Sequence, residues 1–466
     1  MTNWTPDINE LDGPRYRAIV DSLARDVKSG RLPKGTRLPT HRQLAFELGL
    51  TVGTITRAYA EAERRGLVSA TVGRGTFVNA PDRPVLNFGA LIREAPSGEI
   101  AMSVNLMPYS VSQAPISAAI RDWHGFFDVG AGTPSVLALS HPVDGDREVI
   151  TDWFARQRDI PADPALTRLT GGAQNALLTV MLALLRPGDT IATEVMTYPG
   201  LKAAAAHMGV RLEGLPLDDD GLDPDAFETF CQQRTLRLLV VTPTFHNPTA
   251  ITFPTQRRQQ LIDIARAYGV TIIEDDVYGL LDPDGPRPIA AMAPDCTVYV
   301  NSLSKSVAPG LKVGIILAPA PLLSRIDAAL FATSCSPDGM MSAIASHLIR
   351  AGAASDCAAA IRQEVMERQR LALTMLPADL VATAPSSPHL WLKLPPPWRR
   401  EAFTTEACRR GVAITGADVF TVGQMPSRQA VRVSLCQPES REDVVRGLNV
   451  LSELMEHTTV PMLGVI

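Results

Sequence analysis

The chain has 466 residues, of which 45% are hydrophobic and 20% charged, and this length predicts two or three domains. The formal net charge of −5 gives no overall sign of a nucleic-acid partner. The average conceals a division, since residues 11–80 carry a net charge of +6 and residues 81–466 carry −9. We call residues 11–80 the head and residues 105–466 the body. A basic head on an acidic body predicts two parts with different partners.

Several protein classes are excluded early. The first thirty residues lack the basic start and apolar run of a signal peptide. The longest apolar stretch, residues 176–185, is about half as long as a bilayer requires. Six cysteines lie far apart without a Cys-x-x-Cys pair, which argues against a zinc site and a disulfide framework. We therefore expect a cytoplasmic protein with no membrane association and no metal.

The head has the pattern of three helices and a small hairpin. An apolar face at positions 16, 19, 20, 23 and 27 predicts a first helix that ends by Gly30. Thr40 and Gln43 form a capping box for a second helix, which Gly49 ends. Thr51 is the N-cap of a third helix that runs to residue 66. Short strands at 67–72 and 76–78 flank a glycine turn, so residues 11–80 predict a winged helix-turn-helix.

This arrangement suits double-stranded DNA. The third helix can enter the major groove, and the other cationic and hydroxyl side chains can reach phosphates or the minor groove. The candidates for the groove are Thr51, Thr54, Thr56 and Arg57. The candidates for the backbone or minor groove are Arg37, Thr40, Arg42 and Arg74, the last at the tip of the wing.

Residues 81–104 are rich in proline and predict an extended linker. The body then alternates strands and helices, with a large part at about 140–345 and a small part at about 346–466. Buried strands are predicted at 190–195, 237–242, 270–273, 297–300 and 313–318, and helices at 174–185 and 255–268. This pattern predicts an α/β domain with a largely parallel sheet, whose ligands bind at the carboxyl ends of the strands.

Polar residues follow four of these strands. They are Tyr198, Asn247, Asp275 and Lys305. Each alone has an ordinary explanation as a cap, a turn or a surface residue. Together, and in this order, they match the needs of pyridoxal phosphate.

The cofactor needs a lysine amine for its aldehyde, a carboxylate for its ring nitrogen and donors for its ring oxygen. Lys305 and Asp275 meet the first two needs, and Asn247 and Tyr278 meet the third. Tyr198 offers an aromatic face to the ring. The phosphate needs the amino end of a helix, hydroxyls and a cation. The candidates for the phosphate are Ala173, Gln174, Ser302, Ser304 and Lys312.

The head resembles the GntR family of bacterial repressors. The matching residues are Gly35-Thr36-Arg37-Leu38-Pro39-Thr40, Arg42, Leu44-Ala45, Leu48-Gly49, Thr54, Ala58-Tyr59, Gly66-Leu67-Val68 and Gly73-Arg74-Gly75-Thr76-Phe77-Val78. One departure is Thr51-Val52, where many members carry Ser-Arg. The resemblance therefore implies DNA binding but not a particular operator sequence.

The body resembles the fold-type I aminotransferases, through Asn247-Pro248-Thr249, Asp275-x-x-Tyr278, Ser302-x-Ser304-Lys305 and Val431-Arg432-Val433-Ser434. The resemblance implies that Arg432 binds the carboxylate of an amino-acid ligand. The two parts together resemble the MocR subfamily of GntR regulators, in which an aminotransferase-like domain serves as a ligand sensor. This implies the fold class: a winged helix-turn-helix joined to a PLP-dependent transferase fold of type I, with a large parallel-sheet domain and a smaller C-terminal α/β domain.

Three positions in the body depart from the family pattern. Lys312 replaces the usual phosphate-binding arginine, which keeps the charge and loses the two-pronged geometry. The phosphate loop reads Gly172-Ala173-Gln174-Asn175 and lacks one hydroxyl. Ser387-Pro388-His389 replaces a frequent Gly-Gly ahead of Trp391.

The leading hypothesis is a DNA-binding transcriptional regulator controlled by pyridoxal phosphate, an amino compound or both. A working aminotransferase with an accessory head is the first alternative, because the chemical groups for transamination are present. A DNA-binding protein whose body has lost its cofactor and serves dimerisation is the second. We expect a homodimer, since relatives of the body share sites between subunits and winged modules usually bind paired half-sites.

Overall fold

The computed structural model describes residues 4–7, 14–28, 31–33, 35–64, 67–71, 75–78, 98–121, 144–334, 339–423 and 428–456. Two compact units are present, Met1–Leu86 and Asn87–Ile466, and each is described by itself. The head lies in the first unit and the body in the second. The predicted wing residue Arg74 and linker residues 81–97 lie outside the described residues.

The first unit contains the three predicted helices and the hairpin. They are α1 (Arg15–Lys28), α2 (His41–Leu48), α3 (Val52–Arg64), β1 (Val68–Thr71) and β2 (Gly75–Val78). The strands pair in antiparallel fashion, with Val68 opposite Val78. The apolar face predicted for α1 is buried at Ile19, Val20, Leu23 and Val27, against Ile55 and Ala58 of α3 among others. The winged helix-turn-helix is confirmed.

The helix ends in this unit follow from single residues. Thr40 Oγ1 accepts a hydrogen bond from the Gln43 backbone N–H at 3.3 Å, and Gly49 ends α2 with φ 63°. The Gln43 amide nitrogen donates to Glu47 at 3.1 Å, so its side chain faces the next turn and only the threonine half of the predicted capping box forms. Thr51 caps α3, since its Oγ1 accepts from the Thr54 N–H at 3.2 Å.

The second unit is built on a seven-stranded sheet in the order β4-β12-β11-β10-β9-β5-β6. Its strands are β4 (Thr167–Thr170), β5 (Thr190–Glu194), β6 (Arg211–Leu215), β9 (Leu238–Val241), β10 (Thr271–Asp275), β11 (Thr297–Ser302) and β12 (Gly314–Leu317). The strand β12 runs antiparallel to both its neighbours, β11 and β4, and the other neighbouring pairs in this sheet are parallel. The five predicted strands are confirmed, each within two residues at either end. Their nearly complete burial is typical of a parallel sheet covered on both faces.

Helices of the second unit cover the large sheet or accompany the small one. They are α4 (Tyr109–Arg121), α5 (Asp144–Arg158), α6 (Ala173–Leu184), α7 (Pro199–Met208), α8 (Pro224–Gln233), α9 (Thr255–Tyr268), α10 (Ile289–Met292), α11 (Leu323–Ser334), α12 (Gly339–Arg350), α13 (Ala353–Met375), α14 (Arg400–Arg409) and α15 (Arg441–Glu456). Single 3₁₀ turns are Pro164–Leu166, Gly279–Leu281, Leu303–Lys305, Ala320–Leu322 and Ala417–Val419. None of the helices in the described part of the chain has the length and apolar character needed to cross a bilayer.

A second, antiparallel sheet lies toward the C-terminus, in the order β13-β14-β17-β16. Its strands are β13 (Val381–Ala382), β14 (His389–Lys393), β16 (Thr415–Gly416) and β17 (Ala430–Ser434). The short strands β3 (Ile100–Ala101) and β15 (Val412–Ala413) pair in parallel, and β7 (Leu217–Asp218) and β8 (Gly221–Leu222) form a small hairpin. In β14–β17, Trp391 stands opposite Arg432, which places the predicted carboxylate-binding arginine in a strand interior.

Candidate functional site

Lys305 and Asp275 come from adjacent strands. Asp275 is the last residue of β10, and Lys305 ends the 3₁₀ turn that follows β11. The two strands are parallel, with Asp275 opposite Val300, so both side chains belong to the same edge of the sheet. Burial and the nearby Arg432 lower the pKa of Lys305 to about 8, against the opposing effect of Asp275. An amine with this pKa is much more available as a nucleophile near neutral pH than an ordinary lysine.

Asp275 is a buried carboxyl group without a bonded cation among the described residues. Burial raises its pKa to about 7, and the backbone N–H of Val277 at 3.4 Å opposes that rise. A carboxylate held in such a place is suited to a ligand that brings its own positive charge. A protonated pyridine nitrogen is such a group.

Tyr278 belongs to a hydrogen-bonded chain that the sequence analysis did not foresee. Its Oη accepts from Asn105 Nδ2 at 2.9 Å, and the same nitrogen lies 2.8 Å from His389 Nδ1. The Lys305 amine donates to the backbone carbonyl of Asn105. Asn105 and His389 therefore join the site from positions 284 residues apart in the sequence. The sequence pointed to His389 only through the Ser-Pro-His that replaces a frequent glycine pair, and it gave no signal for Asn105.

Arg432 already uses part of its guanidinium within the protein. Its Nη1 donates to Asn247 Oδ1 at 2.8 Å, and its Nη2 donates to the backbone carbonyl of Ser103. The Phe420 ring centre lies 4.8 Å from the guanidinium carbon. Its Nε is buried and has no hydrogen-bond partner among the described residues. Burial lowers the pKa of Arg432 to about 10, and the group stays charged at neutral pH.

The predicted phosphate residues gather at the amino end of α6. Gly172, with φ 98°, precedes Ala173 at the start of this helix. A Cβ at Gly172 would lie 4.0 Å from both Ser302 Oγ and Lys312 Cβ. The Ser302 hydroxyl donates to Ser304 Oγ at 3.1 Å, and Lys312 is exposed. Backbone N–H groups, hydroxyls and one cation are thus brought together, as an anion at a helix start requires.

Tyr198 and Gln174 lie side by side. Gln174 Nε2 donates to the Gly200 carbonyl at 3.2 Å, and a Cβ at Gly200 would come within 2.2 Å of Gln174 Oε1 and of the Tyr198 ring. Asp275 and Arg432 both act on the pKa of Tyr198, which burial raises. The aromatic ring therefore shares the electrostatic environment of Asp275.

The residues present fit pyridoxal phosphate. Three features each suit one part of this cofactor joined to an amino acid. The buried carboxyl of Asp275 suits the ring nitrogen, and the Nε of Arg432, which has no partner among the described residues, suits the carboxylate. The helix start at Gly172 suits the phosphate. The structure brings together all the residues predicted for the cofactor and the ligand carboxylate. In the described ranges, no group of three His, Cys, Asp or Glu side chains could hold a metal ion.

On the head, the described candidates for DNA contact are exposed, except Thr54, which is half-buried. The Arg57 guanidinium lies 4.2 Å from the centre of the Tyr16 ring. Thr56 Oγ1 donates to the Val52 carbonyl at 3.0 Å and lies 3.1 Å from His41 Nδ1. His41 is a polar residue of this surface that the sequence analysis missed. The DNA contacts themselves stay predictions.

Two family models match the chain. "Aminotransferase class I and II" matches residues 98–448, and "Bacterial regulatory proteins, gntR family" matches residues 15–78. Among solved structures, an archaeal alanine:glyoxylate aminotransferase is similar with a TM-score of 0.68 and 21% identity, covering 77% of this chain and 91% of that chain. The Thermus thermophilus α-aminoadipate aminotransferase LysN is similar with a TM-score of 0.67 and 20% identity, covering 85% of this chain and 98% of that chain. These likenesses show the fold.

Several relatives are named as HTH-type transcriptional regulators. YdeF of Bacillus subtilis is 28% identical over 467 residues, 98% of this chain and 98% of that protein. TauR of Rhodobacter capsulatus is 30% identical over 71% of this chain and 72% of that protein. The pyridoxine biosynthesis regulator PdxR of Corynebacterium glutamicum is 27% identical over 76% and 75%, respectively. The chain thus belongs to the GntR regulators of MocR type, in which a DNA-binding winged helix-turn-helix is fused to a pyridoxal phosphate-dependent domain of aminotransferase class I and II.

Proposed function

We propose that this regulator binds operator DNA through its head and that its body senses pyridoxal phosphate, an amino compound or both. The observation that carries the proposal is the pairing of Lys305 with Asp275 at one sheet edge, on a chain that also carries a winged helix-turn-helix. Lys305, with its pKa lowered to about 8, suits a covalent bond to an aldehyde. Asp275 suits a cationic ring nitrogen.

The other residues divide the remaining parts of the ligand. Ala173, Gln174, Ser302, Ser304 and Lys312 would hold the phosphate, and Tyr198 would cover the ring face. Asn247 and Tyr278 would bond the ring oxygen, and Arg432 would bind the carboxylate of an amino compound. Pyridoxal phosphate supplies an aldehyde that bonds amines and a ring that withdraws electrons when its nitrogen is protonated.

The structure supports a route from ligand to linker. We call residues 98–105 the leading segment, since they are the first described residues of the second unit. Lys305 donates to the carbonyl of Asn105, and Arg432 donates to the carbonyl of Ser103. A ligand that engages both cations would replace both bonds and so change what holds the leading segment. Such a difference in contacts between ligand-free and bound states is what a ligand needs to shift an equilibrium.

The cofactor assignment is tested by borohydride reduction after addition of pyridoxal phosphate, followed by peptide mass spectrometry. We expect one modified residue, Lys305, and no modification in Lys305→Ala. Lys202→Arg is a matched control, because burial lowers the pKa of Lys202 also to about 8. Modification of Lys202 in place of Lys305, or an unchanged visible absorbance in Lys305→Ala, would reject the assignment.

The sensing role is tested by footprinting the DNA upstream of the regulator's own gene, with and without pyridoxal phosphate and with candidate amino acids. We expect protection that changes with ligand in the wild type and is insensitive to ligand in Lys305→Ala. Arg42→Ala should weaken binding on every sequence and reduce the salt slope by about 1, because it removes one phosphate contact. Protection that is identical in all ligand conditions would contradict sensing.

A working aminotransferase is the second candidate, favoured by the complete set of Lys305, Asp275 and Arg432 around one site. Steady-state transfer from an amino donor to an oxo acid, abolished in Lys305→Ala, would support it. A single half-reaction that stops after one equivalent would support the sensor.

We also propose that the regulator is a homodimer and that it works in the bacterial cytoplasm, where it joins the nucleoid when bound to DNA. A dimeric mass by analytical ultracentrifugation and paired half-sites in the footprint are the expected results. A monomeric mass at footprinting concentrations would contradict the first part.

A further inference from the structure

His389 is a fully buried histidine at the start of β14, beside the candidate site. Its ring centre lies 5.8 Å from that of Tyr278, and its backbone carbonyl accepts from Ser387 Oγ at 2.7 Å and from Gln369 Nε2 at 3.2 Å. The charged and titratable groups that act on it or stack against it are Arg432, Lys305, His246 and Tyr278. None of these groups supplies a negative charge that would stabilise a protonated, cationic imidazole.

The contacts of the ring fix its tautomer. His389 Nε2 lies 3.1 Å from the backbone carbonyl of His246, which can only accept. Nε2 must therefore carry the proton. Burial and the neighbouring Arg432 lower the pKa of His389 well below its usual range, so the ring is neutral. In a neutral imidazole with a proton on Nε2, the other nitrogen, Nδ1, is an acceptor.

The tautomer in turn fixes the amide of Asn105. Because Nδ1 accepts, the atom 2.8 Å away must be the amide nitrogen of Asn105 and not its oxygen. The same nitrogen uses its second proton to donate to Tyr278 Oη at 2.9 Å. The Asn105 Oδ1 is buried and has no partner among the described residues, so the orientation rests on the two bonds of the nitrogen. Tyr278 therefore receives a hydrogen bond, and its own hydroxyl proton stays available for another acceptor.

We propose that His389 is a positioning residue: through Asn105 it directs the hydroxyl proton of Tyr278 toward the ring oxygen of bound pyridoxal phosphate. With an acceptor in place of the Asn105 nitrogen, Tyr278 would donate its hydroxyl proton to that acceptor and could not donate it to the ring oxygen of the cofactor. The inference rests on the proposed function, since Tyr278 must face the cofactor. It concerns residues 105 and 389, which lie outside the motifs that brought Tyr278 to notice.

The experiment uses the full-length protein reconstituted with pyridoxal phosphate and follows its visible absorption against pH. Deprotonation of the bound chromophore leaves more negative charge on the ring oxygen, so a donated hydrogen bond favours it and lowers the midpoint. We expect Tyr278→Phe to raise the midpoint by about one pH unit, the effect of one hydrogen bond to a charged acceptor. His389→Phe should raise it similarly, because the Asn105 amide can then turn its oxygen toward Tyr278.

Two further variants separate positioning from a general loss of packing. His389→Asn keeps an acceptor near the position of Nδ1 and should hold the midpoint near the wild-type value. The double variant Tyr278→Phe with His389→Phe should show no more than the single Tyr278→Phe shift, because both act through one hydroxyl. If His389→Phe does not fold, Asn105→Asp replaces it. Its carboxylate accepts from Tyr278 and also adds a negative charge, so the rise should be smaller in the Tyr278→Phe background, where only the charge acts.

The outcomes distinguish the inference from the proposed function. A raised midpoint in Tyr278→Phe together with a wild-type midpoint in folded His389→Phe overturns the positioning role and leaves the cofactor assignment intact. Additive shifts in the double variant also overturn it. If Tyr278→Phe itself leaves the midpoint unchanged, Tyr278 does not donate to the ring oxygen, and the inference fails at its first step.

Discussion

The buried carboxyl of Asp275 makes the cofactor-free protein sensitive to pH. Burial raises the pKa of Asp275 to about 7 in the folded chain, whereas an unfolded chain has a value of about 3.9. Between these values the folded state holds a proton that the unfolded state has lost. Stability from this group is therefore fully present below about pH 4 and is lost as the pH rises through about 7.

The size of this effect follows from the separation of the two values. A difference of about three units corresponds to about 4 kcal/mol in total, of which about 3 kcal/mol falls between pH 5 and pH 8. Asp275→Asn removes the titrating group while keeping nearly the same volume. We expect the free energy of unfolding of the variant, relative to that of the wild type, to rise by about 3 kcal/mol from pH 5 to pH 8.

The measurement is urea unfolding of the cofactor-free full-length protein at pH 5, 6, 7 and 8, with the free energy of unfolding compared between wild type and Asp275→Asn. The comparison cancels groups that titrate in this range independently of Asp275, such as Glu274, whose pKa burial also raises to about 7. Parallel curves for the two proteins from pH 5 to pH 8 would refute the reasoning. If the free energy of unfolding of the variant minus that of the wild type falls as the pH rises, the predicted sign is wrong.

Three other predictions follow from contacts in the structure. Arg158 and Asp276 form a buried ion pair at 2.8 Å, so Arg158→Met should destabilise the protein by about 3–5 kcal/mol in urea unfolding. Adding Asp276→Asn should recover part of this loss, because it removes the unpaired charge. Purely additive losses would contradict the coupling. A Cβ at Gly314 would lie 2.6 Å from the Gly172 carbonyl carbon, so Gly314→Ala should weaken pyridoxal phosphate binding at least about tenfold in titrations. Gly310→Ala is its control, since no atom lies within 4 Å there. Thr51→Ala removes the cap of α3 and should cost about 1 kcal/mol in thermal unfolding of the head, and an unchanged melting temperature would contradict that role.

Local patterns were enough to predict the head. Thr40, Gly49 and Thr51 mark helix ends through bonds within a few residues, and these ends lie where the sequence places them. The Gln43 half of the capping box was predicted wrongly, because the Gln43 side chain can reach either the Thr40 backbone or the Glu47 side chain. Gln43 bonds Glu47, one turn later, which no spacing rule decides.

The candidate site was predictable where its residues follow strands, begin a helix or stand in a family motif. Asp275 and Lys305 stand at strand ends, and a parallel sheet brings strand ends together. Ser103 and Asn105 come from a segment with no such position, far from Arg432 and Tyr278 in the sequence. Their place depends on how β3 pairs with β15, a contact between residues more than 300 positions apart. Such a pairing has no local signature.

The hydrogen bond from Arg432 to the carbonyl of Ser103 has a consequence for how strongly any effector can act. In the proposed role, a carboxylate that binds Nη2 of this guanidinium competes with an oxygen that the chain itself supplies. A tethered competitor has a fixed effective concentration, which no change in the cell can dilute. In that role, the tethered carbonyl would raise the concentration of amino acid needed to displace the leading segment. Substitutions in that segment would change this concentration, and with it the range of concentrations to which the regulator responds, while Arg432 stays unchanged.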